Sequence, residues 1–485
     1  MTTRSKICLF LILALAIALR WYSIGKSSIW IDEAGSITLA QMPWGRFLRT
    51  LWQYEANMAF YYLLLRGWLH LGTGEAMIRS FSALVGVLAV PAIYLLGRRM
   101  FSETTGLLAA ALLAVNMFHV WFSQDARGYP LAVLLVILSL AFFAEAVEGG
   151  GGRRAWIAYA LVSVLAVYAH FFAALTLAAE WVALGPRRLR SIGFPRMASI
   201  LLAIAAALLP IGAFILFRDQ GQVDWVPPTN LATILWTSMA VCGFSPLTLL
   251  LVLLGIGLAL WTLRRDDADS WGLRLLAVAW ALPLLIIGVV SHFKPLFFFR
   301  YFAICIPPAT LLAARVLTPV RTLPKLARAG VAVVAFLALA MSLGATAGYY
   351  KRLRNWGGDW RSAIEYVLAG RKPGDAIVFQ VSAGLDDYRY YVSRAASQAS
   401  GGPLPEVLFP GPDELASAHL VPKEAALVQA SEGHPRLWLV LHQKEATDLP
   451  PRLLAPYVLV EEKDFTASVP QLKLKVALYA RKTPS

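Results

Sequence analysis

Asp32 and Glu33 stand side by side in "SSIWIDEAGS", directly after an apolar stretch long enough to enter a bilayer. Three more segments put polar groups in the same kind of place. "QYEANMAFYY" carries Glu55 and Asn57. "FSQDARGYP" carries Gln124, Asp125, Arg127 and Tyr129. "SHFKPLFFFRYF" carries His292, Lys294, Arg300 and Tyr301. His170, in "YAHFF", falls on the same side. A charge at the bilayer centre costs about 2.5–3.5 kcal/mol and less near the interface, so no single one of these is evidence of a site. Each also has a plain reading. Asp32 and Glu33 could open and cap a helix, Glu55 could be a solvated loop residue, and Asp125 with Arg127 could be a local ion pair. Together they offer a carboxylate base for an acceptor and cationic groups for phosphate oxygens, the needs of a reaction at the lipid headgroup. Asp32 takes the base role and Glu33 a supporting one, because adjacent residues of a helix or strand do not share a face.

The elements that would position these groups follow from composition. Of 485 residues, 58% are hydrophobic and 15% charged, against about 25% charged in a soluble domain. A lipid-embedded chain is the consequence. With about 20 apolar residues per span, about eleven candidates emerge, near 7–24, 77–97, 104–122, 129–147, 155–169, 171–185, 198–217, 245–263, 273–291, 301–317 and 329–348. The net charge of +15 is spread over short clusters: Arg98–Arg99, Arg153–Arg154, Arg187–Arg188–Arg190, Arg264–Arg265 and Arg321–Lys325–Arg328. These alternate with the spans and occupy every second loop, the positive-inside pattern. The N-terminus is then cytoplasmic and the tail extracytoplasmic, in a multi-pass protein of the cytoplasmic (inner) membrane. A basic face with aromatic platforms, which nucleic acid would require, is missing. Cys8, Cys242 and Cys305 lie in apolar runs and form no disulfide framework.

The reading by chain position is a transmembrane domain over 1–348 and an extracytoplasmic domain over 349–485. Within the first outward loop, about 25–76, Trp44–Tyr54 and Met58–Gly72 read as interfacial amphipathic helices. "GGGG" at 149–152 is a flexible cytoplasmic turn. The tail alternates a helical stretch, "DWRSAIEYVLAG", with strand-like "DAIVFQV", "RLWLVLH", "YVLVEE" and "LKLKVALYAR". A small α/β or α+β domain is expected. The rival from another class is a polytopic transporter or lipid flippase. It would show internal repeats and polar residues inside the spans, whereas here the polar residues gather at one face.

"IWIDEAGS", "SQDARGY" and "FFFRYFAICIPPATLLAA" carry a resemblance. Over about residues 5 to 350 the chain resembles bacterial membrane glycosyltransferases of the GT-C fold, in the dolichyl-phosphate-mannose protein mannosyltransferase and lipid A aminoarabinose transferase group. The resemblance implies a polyprenyl-phosphate sugar donor, a lipid, glycan or protein acceptor, and inverting transfer on the outer face of the membrane. It places Asp32, Glu33 and Asp125 in catalytic positions. By position or charge, Glu55, Asn57, Arg127, Tyr129, Lys294, Arg300 and Tyr301 become substrate-binding candidates. Many members have His-Pro-Pro where this chain has Asn57-Met58-Ala59. Some relatives use a divalent metal; the sequence shows no compact ligand set.

Overall fold

The computed structural model describes residues 2–149, 151–217, 226–265, 267–318, 324–352, 357–395, 403–410, 424–442, 451–465 and 474–482. Gly150 of the glycine run, Arg321 and Ser485 lie outside them. The described chain forms two compact units. The first comprises Met1–Ile24, Leu48–Thr73 and Met77–Tyr349; the second comprises Gly25–Phe47, Gly74–Ala76 and Tyr350–Ser485. The loop segment with Asp32 and Glu33 thus packs with the tail, a grouping that a division by chain position does not give.

In chain order the helices up to the tail are α1 Thr3–Trp21, α2 Ile31–Gln41, α3 Trp44–Gln53, α4 Ala59–Trp68, α5 Glu75–Met100, α6 Glu103–Val115, α7 Met117–Ser123, α8 Tyr129–Val147 and α9 Gly152–Ala169. They continue with α10 Ala173–Val182, α11 Pro186–Ile192, α12 Phe194–Phe217, α13 Leu231–Val241, α14 Pro246–Trp261, α15 Ala268–Val290, α16 Ile306–Val316 and α17 Lys325–Arg352. A 3-10 stretch, Phe299–Cys305, leads into α16. Every span expected from the sequence coincides with helix. By length and apolarity, six stretches qualify as spans among the described residues, or up to eight if two bent pairs each count as one. One bend falls at Asn116, where α6 and α7 meet at 59°. Its side chain accepts from the His119 N–H at 2.9 Å and donates to the Val241 carbonyl at 3.0 Å. Breaking a helix inside a membrane strands backbone groups, and this side chain satisfies two of them.

The same logic seats the loop after α7. Gln124 donates to the carbonyls of Leu19, Arg20 and Tyr22 at 3.3, 3.1 and 3.0 Å, closing the open end of α1. Its amide oxygen accepts from the Tyr349 hydroxyl at 3.2 Å.

In the second unit the tail adds α18 Trp360–Gly370, β1 Ala376–Phe379, α19 Gly384–Ala395, β2 Glu406–Phe409, α20 Glu424–Ser431, β3 Arg436–His442, α21 Pro451–Leu454, β4 Tyr457–Phe465 and β5 Leu474–Arg481. The strands form one mixed sheet in the order β2-β1-β3-β5-β4. β1 runs parallel to β2 and β3, and β5 antiparallel to β3 and β4. The four strand-like runs and the helix read from the sequence are all present; β2 is an addition. Buried Val378, Leu437, Leu439, Leu441 and Ala477 build the core of the sheet.

Candidate active site

In the first unit, four separated loop segments come together. Asn57 accepts from the Phe171 N–H at 3.1 Å, which ties the turn before α4 to the turn between α9 and α10. The Tyr62 hydroxyl donates to Glu55 at 3.4 Å and receives Arg127 at 3.3 Å. The His170 ring lies 5.6 Å from those of Tyr129 and Tyr301. Gly128 permits this approach: a Cβ there would sit 3.1 Å from Tyr61 and 3.2 Å from the Ala169 carbonyl.

Arg300 is buried, its guanidinium 5.0 Å from the Phe298 ring centre and 6.0 Å from that of Tyr301. Cation–π contact helps to keep a charge tolerable there. His170 is fully buried, and that burial, then the charges of Arg127 and Arg300, hold its pKa down at about 3. The imidazole is therefore neutral. Its Nδ1 accepts from the Phe172 N–H at 3.2 Å, so Nε2 carries the proton. That Nε2–H has no partner among the described residues. One buried N–H donor under the field of two guanidinium groups is an anion-receiving arrangement.

Asp125 is buried at the end of α7, and its carbonyl accepts from the Arg127 N–H at 2.8 Å. Lys294 stands half-buried in the turn after α15. Met58 adopts φ 64°, ψ 18°. A proline cannot reach that φ, so the replacement of His-Pro-Pro by Asn57-Met58-Ala59 changes the backbone as well as the side chains. Sequence alone gives His170 a side of the membrane but no role and singles out nothing at Tyr62; an isolated His in an aromatic turn is an ambiguous signal until its neighbours are known.

In the second unit, Asp32 and Glu33 occupy the first turn of α2, where a helix N-terminus favours negative charge. Glu33 is fully buried and Asp32 half-exposed. The helix packs on α19, which contributes two more acids, Asp386 and Asp387. The Thr38 hydroxyl donates to Asp386 at 3.0 Å. Burial raises the Asp386 pKa to about 6, against the pull of Thr38 and Arg389. Asp387 is wholly buried, and neither of its oxygens accepts a hydrogen bond from another residue among the described residues. Burial, then Asp386, Glu33 and Asp32, push its pKa well above the ordinary carboxylate range. Nothing in "LDDYRYY" distinguishes these aspartates from an ordinary helix start. Among the described residues no three His, Cys, Asp or Glu side chains are arranged as metal ligands.

The architecture is that of the GT-C membrane glycosyltransferases. Residues 58–217 match the family model of dolichyl-phosphate-mannose-protein mannosyltransferase. A solved structure of ArnT from Cupriavidus metallidurans in the apo state superposes with a TM-score of 0.63 at 13% identity, over 98% of each chain. The same enzyme bound to undecaprenyl phosphate gives 0.62 at 13% identity over 98% of each chain. Archaeal oligosaccharyltransferase AglB from Archaeoglobus fulgidus, solved with an inhibitory peptide and a dolichol-phosphate, gives 0.54 at 13% identity, over 90% of this chain and 69% of that one. No curated protein sequence matches the chain.

Proposed function

We propose that this protein transfers a sugar from a polyprenyl-phosphate donor to an acceptor on the outer face of the cytoplasmic membrane, with inversion at the anomeric carbon. The observation that carries the reading is the cluster of buried Arg300 and His170 with half-buried Arg127 in the first unit. Its members bring two positive charges and the His170 Nε2–H to one place, as a lipid-linked phosphate requires. The likeness to structures solved with undecaprenyl phosphate and dolichol-phosphate supports the same class of donor.

In the proposed step an acceptor hydroxyl or amine attacks the anomeric carbon and gives up its proton to Asp32. The bond from that carbon to the phosphate oxygen breaks, and polyprenyl phosphate leaves with the electron pair. Arg300 and Arg127 stabilise the charge that develops on the departing phosphate, while Glu33 supports Asp32. Glu55, Asn57, Tyr129, Lys294 and Tyr301 shape the donor side, and Asp125 is the reserve base.

The test is direct. Purified protein in nanodiscs is given lipid-linked sugars extracted from its native membrane, and free polyprenyl phosphate is measured. Release that depends on the protein and an added acceptor is expected. Movement of an intact lipid-linked sugar without bond cleavage overturns the proposal in favour of a transporter.

A further inference from the structure

Contacts of the tail with α2 give it a specific task. Tyr391 of α19 donates its hydroxyl hydrogen or accepts within a tight cluster. Its oxygen receives the Ile29 N–H at 2.7 Å and lies 3.2 Å from the Ser28 hydroxyl. Ser28 in turn receives the Arg361 N–H of α18 at 2.9 Å. About two turns into α2, Thr38 is bound to Asp386. The two anchors lie on one helix, α19, and they bracket Asp32 in the sequence. Because Tyr391 grips the start of α2 and Asp386 its later part, the helices run antiparallel, and a shift of α19 along its axis moves both grips together.

α19 itself is set by the sheet. It follows β1 directly, where Gln380 bonds to Val440 and His442 of β3 at 3.0 and 3.2 Å. Its first residue, Gly384, abuts Trp360, since a Cβ there would lie 2.8 Å from the indole. The rigid core of the tail is thereby connected to the loop that carries the acid.

We propose that Asp386 and Tyr391 are positioning residues for Asp32, so that the tail domain holds the base of the transfer reaction in its working orientation. This rests on the assignment of Asp32 as base. A misplacement of about 1 Å at a reacting group costs about 10²-fold in rate, so losing one of two anchors lowers kcat by about 10-fold to 10²-fold on that scale and leaves donor KM unchanged.

The experiment measures kcat and donor KM for Asp386→Ala, Asp386→Asn, Tyr391→Phe and Asp32→Asn in the full chain, with a thermal melt on each to confirm folding. Asp386→Asn keeps an oxygen that can accept from Thr38, so kcat is expected to fall in Asp386→Ala and return toward wild type in Asp386→Asn. Tyr391→Phe removes only a hydroxyl and is expected to lower kcat without changing donor KM. If Asp32→Asn is inactive while Asp386→Ala and Tyr391→Phe turn over normally, the positioning role is wrong and the base assignment stands. If Asp32→Asn turns over normally, the base assignment is wrong and the positioning role falls with it. Equal kcat losses in Asp386→Ala and Asp386→Asn also overturn the role, because they point to the charge and not to the Thr38 contact.

Discussion

The two units bury polar groups in opposite ways. In the first, Arg300 lies against aromatic faces and His170 is kept neutral with its Nε2–H unpartnered among the described residues. In the second, Asp386 of α19 with Glu33 and Asp32 of α2 adds to burial in raising the pKa of Asp387. Asp387 receives no hydrogen bond from another residue among those described. One arrangement suits receiving an anion and the other suits holding a proton. Charges of one sign are cheap to gather where ring faces and a neutral donor surround them, and costly where they face each other in a buried place.

The sharpest way to break this comparison is at the acidic side. Asp32→Asn is expected to lower turnover by at least about 10²-fold, the lower end of what a general base contributes, and Glu33→Gln to cost less. Radiolabelled sugar transfer in nanodiscs reads both. Near-normal turnover in Asp32→Asn would move the search for the base to Asp125 or Glu55.

On the basic side, Arg300→Ala is expected to weaken donor binding by about 10-fold or more, the worth of a hydrogen bond to a charged partner. Arg300→Lys should recover only part of this, because a planar fork becomes a point charge. Equal donor KM in wild type and Arg300→Ala, with normal insertion, would leave Arg300 as a lipid or topology anchor.

The stability of the second unit should carry the mark of its acids. Asp386 has a folded pKa of about 6, above the ordinary value near 3.9. The folded state therefore holds the proton more tightly, and the stability this contributes is complete below about pH 4. It is lost as pH rises through 6. Asp387 acts in the same direction. Asp387→Asn should raise the melting temperature at pH 8 by several degrees, about what 1 kcal/mol is worth in a domain of this size. The gain should shrink toward pH 4. A melting temperature equally pH-dependent in wild type and variant would show that the carboxyl is not the source.

The smallest effect is expected at His170. Its neutral state below and above pH 6 means that turnover should show no ionisation from this residue between pH 5 and 8. His170→Gln, which retains an N–H donor, should therefore leave the pH profile unchanged, while His170→Leu lowers transfer several-fold at every pH, in line with one lost hydrogen bond. A pH profile that shifts in His170→Gln would show the imidazole titrating in that range.

Much of the architecture was legible because a membrane leaves few choices. Apolar runs of the right length must become helices, and each expected span falls on helical structure, although 104–122 is two helices bent at Asn116 and 301–317 opens as a 3-10 stretch. The tail's helix and four of its strands were visible as changes of periodicity; β2, Glu406–Phe409, lies between Pro405 and Pro410 in a run whose Gly and Pro residues read as loop. Asp359 caps α18 by accepting from the Ser362 N–H at 3.2 Å, a signal that sequence carries locally. The site was legible only as a set of residue types. Asp32, Asp125, Arg127 and Arg300 were named from charge and place beside spans, but their partners were not.

What the sequence by itself determined is where the apolar helices lie and the residue types near their ends, because these depend on local composition and on the cost of bare backbone in lipid. Tertiary structure alone decided that Asn57 meets Phe171, that His170 stands under two arginines, and that α2 is gripped by Asp386 and Tyr391. Those contacts join residues up to 362 positions apart, and no periodicity reports on a pairing that only the packing of helices and a sheet brings about.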